Sequence, residues 1–477
     1  MSGGRLEGVG RVGGLVLRSG GVVAPGGEGF GVLNVAGDFV SNGGLIEIQA
    51  VLGGDGSQAD RLVVAGATSG AAEISVANRG GLGDQTQEGI KIVDVAGASN
   101  GQFTLRGDYV FQGDQAIIAG AYAYRLYKNG VATPADGDWY LRSSLVDPGE
   151  PETPTKPEEP QGPLYQPGAP VYEAYAASLL GLNGVGTLRQ RTGDRVWGQG
   201  ATELGGAWGR IEGEQSRSKD APRSNTGADL KTDRWAVQMG YDRALPDQTW
   251  GGTLVLGASW RYGEADTKVR SAHGDGAIAT NAYGLGGSAT WYGQGGAYVD
   301  VQAQNSWYDS DLRSNLLGDL AKGLDGSGVS LGVEVGKPKV LAQGLQLTPQ
   351  FQTVYSRIRF DSFVDGAGAQ VWGDRGESLR SRVAAALAHE TEGQKGAGRL
   401  YGQVGVAYEW LGGPSVMVSD AQLARGDGRL WGELAVGGSY RWRQGLSLFG
   451  EVSAASGLNN LGDAYSVRAN MGLRLAF

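Results

Sequence analysis

The reading of this chain turns on its last eleven residues, Val467-Arg-Ala-Asn-Met-Gly-Leu-Arg-Leu-Ala-Phe477. Val467, Ala469, Met471, Leu473, Leu475 and Phe477 share one parity, while Arg468, Asn470, Gly472, Arg474 and Ala476 share the other. Alternation of period two is the mark of a β-strand with one apolar and one polar face. The same pattern returns upstream. Leu254, Leu256, Ala258, Trp260 and Tyr262 form one apolar row, and Ala297, Val299, Val301 and Ala303 another. Leu400, Val404, Val406, Tyr408 and Trp410 form a third, and Leu434, Val436, Tyr440 and Trp442 a fourth. Each segment is about ten residues long, the length a tilted strand needs to cross a bilayer (~9–11).

From residue 193 to the end about twelve such strands are expected. Long polar connections fall near 217–231, 264–278, 310–326, 362–377, 412–428 and 456–463, and short ones near 246–251, 293–296, 392–398 and 443–445. An outer-membrane barrel has this asymmetry, with long loops outside and short turns in the periplasm. An even strand number brings both ends of the barrel to the periplasmic side. Trp208, Trp250, Trp260, Trp291, Tyr292, Trp307, Tyr308, Trp410, Trp431 and Trp442 lie at segment ends and are expected to form interfacial girdles.

Composition agrees with this pattern. The chain has 477 residues, enough for two or more domains, and Gly 86 favours β-structure and turns over helix. Mean hydropathy is −0.24 and no run of 18 apolar residues occurs, so no membrane-spanning helix is expected. A transmembrane barrel remains compatible, because alternation averages to a soluble value. With Cys 0 there is no disulfide or thiolate chemistry. Net charge −9 and pI ≈ 5.0 argue against a nucleic-acid partner. The only histidines, His273 and His389, lie far apart, and no nucleophile set, metal site or phosphate-cradling loop is discernible, so neither an enzyme nor a cofactor is expected. Met-Ser-Gly-Gly-Arg-Leu-Glu-Gly at the start has no basic-then-apolar pattern of a secretory signal, so if the rest is secreted the chain is expected to be a fragment, a truncated gene or a separately expressed piece.

Residues 1–146 contain short apolar runs separated by Gly, Asn and Asp, such as Gly44-Leu-Ile-Glu-Ile-Gln49, Arg61-Leu-Val-Val-Ala65 and Gly89-Ile-Lys-Ile-Val-Asp-Val95. They predict many short strands stacked as a right-handed β-solenoid, with a β-sandwich as the alternative. Residues 147–170, rich in Pro and Glu, predict an extended, solvated linker. Residues 171–195 follow Pro170 and hold the one clear helical pattern, over 171–192: Tyr172, Tyr175, Leu179 and Leu182 at three- and four-residue steps among small neighbours, slim enough for a narrow pore. Residues 196–477 are the expected barrel.

Ala119-Gly-Ala-Tyr-Ala-Tyr-Arg-Leu-Tyr-Lys128, Asp136-Gly-Asp-Trp-Tyr-Leu-Arg-Ser143, Gly66–Gly70, Val76–Asp84, Gly89–Asn100 and the barrel as far as Phe477 resemble type Va autotransporters with a pertactin-like passenger end. That resemblance implies an all-β chain: a right-handed β-solenoid, a linker, a pore-spanning α-helix and a 12-stranded transmembrane antiparallel β-barrel. It implies a translocator that moves its own N-terminal passenger to the surface of a Gram-negative cell and anchors it in the outer membrane. The implied partners are outer-membrane lipid, periplasmic chaperones and the barrel assembly machinery, which would read Leu473, Leu475 and Phe477. The 120–143 region would nucleate passenger folding.

Two further motifs follow. Some members of the family cut their pore helix at an asparagine, and Asn183, followed by Gly184, is the one asparagine in this helix, although the usual adjacent pair is missing. Arg-Gly-Asp occurs at Arg106-Gly107-Asp108 and Arg425-Gly426-Asp427, a tripeptide proposed for integrin binding in pertactin-like proteins. The second copy falls in an expected outer loop, which makes a host-cell receptor a candidate partner and a surface adhesin the alternative function. Both copies also suit plain turns.

Overall fold

The computed structural model describes residues 3–145, 162–194, 204–249, 251–442, 445–459 and 461–476. It divides into two compact units, one of Met1–Ala169 with Val364–Val371 and Met417–Ala421, the other of Pro170–Phe363, Trp372–Val416 and Gln422–Phe477.

In the first unit two parallel sheets stack coil upon coil. Arg5–Gly8, Val22–Pro25, Phe39–Ala50, Thr68–Asn78 and Gln102–Arg106 form one, and Gly10–Val12, Val32–Val35, Arg61–Val64 and Ile90–Val95 begin the other. Val35 pairs with Val64 and Leu62 with Val93, so one coil takes about thirty residues, within the range of solenoid repeats. The inward positions Leu17, Val35, Ile46, Ile48, Leu62, Ile74 and Ile92 are fully enclosed and form one continuous core. No single coil could bury such a face alone.

The stack then changes character. Tyr109–Phe111, Asp114–Ala119, Tyr122–Lys128 and Trp139–Arg142 continue the second sheet as antiparallel strands, closing the core with Phe39, Phe103 and Trp139 in edge contact. The described end of the predicted linker is not solvated. Leu164 is fully buried, its amide donates to Ser143, and Tyr165 stacks on Tyr122 at 5.4 Å. Residues 146–161 lie outside the described residues.

The second unit is the expected barrel. Its twelve staves are Gly206–Ser218, Asp229–Thr249, Gly252–Arg270, Gly276–Gly293, Tyr298–Ser314, Gly318–Gly336, Leu345–Phe360, Glu377–Gly393, Gly396–Glu409, Leu430–Trp442, Leu446–Gly457 and Ala464–Leu475. Each pairs antiparallel with its neighbours; the first pairs with the twelfth and the sixth with the seventh, so the sheet has no open edge. The fifth stave carries the logic of the wall. Val299, Val301 and Ala303 point outward, whereas Asp300, Gln302, Gln304, Ser306 and Ser310 point inward and are buried. Apolar outside and polar inside is the reverse of a water-soluble barrel and matches a lipid-facing one.

Two expectations change here. The segments 264–278 and 310–326 are mostly ladder: the third and fourth staves meet across a turn at 271–275, and the fifth and sixth across 315–317. Staves of up to 21 residues exceed the bilayer requirement, and their outer ends, with Asp266, Lys268, Asp309, Asp311 and Arg313, continue beyond it. The aromatic girdle is also only partly as expected. Trp235, Tyr262, Tyr283 and Trp307 form a neighbouring row on the outer half of the wall, with Tyr262 paired to Tyr283 and Tyr283 to Trp307. Trp208, Tyr292 and Tyr308 instead face the lumen, because they fall on the inward parity of their staves; the wall makes room for Trp208 at Gly240, where a Cβ would lie 2.4 Å from the indole.

Candidate functional site

The lumen is occupied by the chain's own residues. The expected single helix over 171–192 is two, α1 (Ala169–Leu182) and α2 (Leu188–Thr192), separated by Asn183-Gly-Val-Gly186. Two glycines and a β-branched residue disfavour continuous helix. The carbonyls freed by the break are taken up by the wall: Arg261 donates to Gly184 O at 3.2 Å, and Gln302 and Gln352 donate to Gly186 O at 3.0 and 3.3 Å. Thr187 and Gln190 form a capping box that restarts the helix.

α1 is slim as expected, with Ala174, Ala176, Ala177, Ser178 and Gly181 among the stripe of Tyr172, Tyr175, Leu179 and Leu182. The stripe packs on the wall, with Tyr175 against Phe360 at 4.8 Å and Tyr172 against Phe363 at 5.6 Å. Near its start, buried Glu173 accepts from the Thr226 amide at 2.8 Å and from Ser224 Oγ at 2.5 Å, with the Arg425 guanidinium 3.9 Å away. At its end Asn183 is enclosed. Its Nδ2 donates to the carbonyls of Val329 and Arg357 at 3.0 and 3.2 Å, its Oδ1 accepts from Tyr308 at 2.9 Å, and its main-chain oxygen accepts from Ser330. Gly328 is needed there, since a Cβ would sit 2.6 Å from both Asn183 Oδ1 and Tyr308 Oη.

α2 stops the inner end with charge. Arg191, 4% exposed, bonds Asp300 at 2.6 Å and Ser288 at 2.6 Å, and Asp300 is itself fully buried. Arg189 lies over the Tyr401 ring at 4.2 Å and pairs with Asp194 at 3.2 Å. Gln190 donates to Glu451 at 2.7 Å, and Glu334 accepts from the Leu188 amide at 2.9 Å. On the other side of α1 the wall leaves a cavity of about 300 Å³ lined by Arg234, Arg380, Arg382, Arg468, Glu214 and Glu433. These charges are matched within the wall: Glu214 binds Arg234 and, at 2.6 Å, Arg468, and Glu433 binds Arg380 at 2.9 Å and Arg382 at 2.6 Å. This network escaped sequence reading, although its members sit on the parity opposite the apolar rows.

The remaining singled-out residues are scattered. Leu473 and Leu475 lie exposed on the outward face at the inner end of the last stave, opposite Gly209 and Ala207 of the first; Phe477 is outside the described residues. The second Arg-Gly-Asp is accessible at Asp427, which is exposed, but not at its arginine. Arg425 is 2% exposed, donating to Ala228 O at 2.5 Å and Ser218 at 2.7 Å, and Asp427 accepts from Ser218 at 2.5 Å. In the first copy Arg106 is exposed and paired with Glu73 at 2.5 Å, but Asp108 caps the Ile118 amide at 2.8 Å and a Cβ at Gly107 would strike Ala116 O. Neither copy offers its guanidinium and carboxylate together.

A closed lipid-facing barrel, stoppered by two helices of its own chain and accompanied by a β-solenoid, defines a class: outer-membrane proteins that keep their own chain threaded through the pore. The comparisons agree. The family model for the autotransporter beta-domain matches residues 207–453, and that for autochaperone domain type 1 matches 12–126, which takes in most of the solenoid and only the start of the expected 120–143 segment. The chain belongs to the autotransporter family, with its barrel in the outer membrane and its passenger end at the cell surface. It is 43% identical over 474 residues to the adhesin BmaC autotransporter of Brucella suis, covering 95% of this chain and 14% of that protein. It is 27% identical over 379 residues to the pertactin autotransporter of Bordetella bronchiseptica, covering 72% of this chain and 38% of that one. The transport unit of the Escherichia coli autotransporter AIDA-I shares the fold, with a TM-score of 0.55 and 20% identity over 65% of this chain and 99% of that structure. The chain thus spans a small part of the first of these relatives.

Proposed function

We propose that this chain is the translocating and anchoring end of a non-enzymatic adhesive autotransporter. Its barrel passes the N-terminal part of the protein outward and then closes on α1 and α2, which tether the solenoid to the cell. The observation that carries this reading is the threaded lumen: a slim helix lies in a pore whose wall charges are already paired with each other. Adhesion as the purpose of the displayed part rests on the relative named as an adhesin. Assembly would begin from Leu473, Leu475 and Phe477, read by the barrel assembly machinery after escort by periplasmic chaperones.

Asn183 works in this reading as a clamp, and the Asn183–Gly184 bond stays whole. Attack by Nδ2 on its own carbonyl would require it to leave two wall carbonyls and Tyr308 to release Oδ1. The test is a fusion of the chain to a secretory signal in a Gram-negative host. External protease should remove residues 1–145 from intact cells while the barrel stays protected, and the unproteolysed protein should show its full mass. A chain digested throughout in the periplasm refutes translocation; a product broken after Asn183 refutes the clamp.

A further inference from the structure

The lipid-facing wall carries a shallow apolar groove. At the inner end of the eighth to twelfth staves lies an apolar groove of about 490 Å³, floored by Gly398, Gly438 and Gly450 and walled by Leu400, Leu448 and Met471. The three glycines occupy outward-facing positions on adjacent staves: Gly398 pairs with Tyr440, and Gly438 pairs with both Leu400 and Gly450. Where other outward positions carry Leu or Val, these leave a trough.

The surroundings identify the occupant. The groove faces the hydrocarbon, so whatever fills it is apolar. It opens toward the short turns, at the depth of the edge-to-face pair Tyr440 and Trp442, whose ring centroids lie 4.8 Å apart and mark the headgroup level. At that rim the polar groups are His389 and Thr391, both exposed, and the adjoining turn at 394–395 presents exposed Lys395. An apolar slot with a hydroxyl at its rim, on a hairpin whose turn carries an exposed lysine, has the charge order of one glycerophospholipid: chain inside, phosphate toward the turn.

We propose that this groove is a binding site for a single phospholipid of the inner leaflet, with one acyl chain laid over Gly398, Gly438 and Gly450 and its phosphate held by Lys395. The site serves to fix the barrel's depth on the side where staves are shortest, the tenth to twelfth having 13, 12 and 12 residues.

The test uses the full chain, purified in detergent and then mixed with palmitoyl-oleoyl phosphatidylethanolamine. Native mass spectrometry counts the lipids that survive detergent removal. Gly398→Leu fills the trough at a position whose backbone is ordinary, with a Cβ no nearer than 3.1 Å to Thr391. Lys395→Glu reverses the rim charge, and Val301→Leu on another stave is the control. Heat-modifiable migration checks that each barrel is folded. The expected result is one retained lipid for the native chain and the control, retention reduced at least about tenfold by Gly398→Leu, and a smaller loss for Lys395→Glu that shrinks as salt is raised. Equal retention by native chain and Gly398→Leu overturns the proposal. So does a co-purifying polypeptide that Gly398→Leu alone releases, since the groove would then be a protein interface.

Discussion

The Arg191–Asp300 pair gives the sharpest handle on the stopper. In the closed barrel Asp300 is fully buried and Arg191 nearly so, at 2.6 Å, with Ser288 and Thr290 as further partners of the two terminal nitrogens. Arg191→Ala leaves a buried carboxylate without its cation. Removal of one partner of a buried pair typically costs about 3–5 kcal/mol. Asp300 keeps Thr290 Oγ1 at 2.5 Å and Gln302 Nε2 at 2.8 Å, so the lower end, about 3 kcal/mol, applies here. With α2 withdrawn the lumen fills with water, Asp300 is hydrated and the penalty disappears. The substitution therefore acts on the stopper's equilibrium, shifting it toward withdrawal by roughly two orders of magnitude at about 1.4 kcal/mol per tenfold. In planar bilayers the time spent at a large conductance should rise by that factor. The double variant Arg191→Ala, Asp300→Ala should recover most of the quiet behaviour, because the stranded charge is gone. A single variant as quiet as the native chain would refute the assignment of α2 as an electrostatic stopper, and a double variant as leaky as the single would refute the stranded-charge argument.

Other outcomes follow from the same physics. Val436, 69% exposed near the middle of the apolar belt, changed to Arg should destabilise the barrel by about 2–4 kcal/mol in urea titrations from lipid vesicles, whereas Val436→Ala should cost far less. In the solenoid Tyr124 is fully buried and its hydroxyl joins Asp84 N, Asp84 O and Gly53 O, each at 2.9 Å; Tyr124→Phe should cost about 1–3 kcal/mol, seen as faster hydrogen exchange at the Asp84 amide. In the outer loop at 271–275, burial pushes the His273 imidazole down to about 4 from 6.5, so it is neutral when the loop is folded. Local stability is then complete above about pH 6.5 and is lost as pH falls toward 4, by about 3 kcal/mol at about 1.4 per unit. Loop proteolysis on intact cells should accelerate over that interval and lose its pH dependence in His273→Phe.

How far the sequence could be read depended on which face of a strand a residue was on. Alternation identified the staves and their number because outward positions such as Val299, Val301 and Ala303 answer to lipid alone. The inward side answers to partners across the lumen, which no local pattern records. Trp208 and Tyr308 thus looked like girdle residues, although parity already set them apart from Trp235 and Trp307. The break between α1 and α2 has a local signal in Gly184, Val185 and Gly186, but what holds it, the donors Arg261, Gln302 and Gln352 to the freed carbonyls, is distant in sequence. Arg425 looked like a turn residue in an outer loop, and its burial comes from Ser218, Ala228 and Glu173, each distant in sequence.

The division of charges in the lumen answers a conflict in the proposed function. A pore that passes an unfolded chain must be wide, wet and indifferent to sequence, whereas a pore left in the membrane must be shut. Glu214 with Arg234 and Arg468, and Glu433 with Arg380 and Arg382, are satisfied stave to stave. They stay satisfied when the lumen is empty, so they neither collapse the barrel nor grip a passing chain. The specific bonds are reserved for the final occupant: Glu173 at the outer end, Asn183 in the middle, Arg189, Gln190 and Arg191 at the inner end. These side chains lie within about one helix-turn-helix length of chain. In the proposed function, transit ends in the register where all of them are satisfied together.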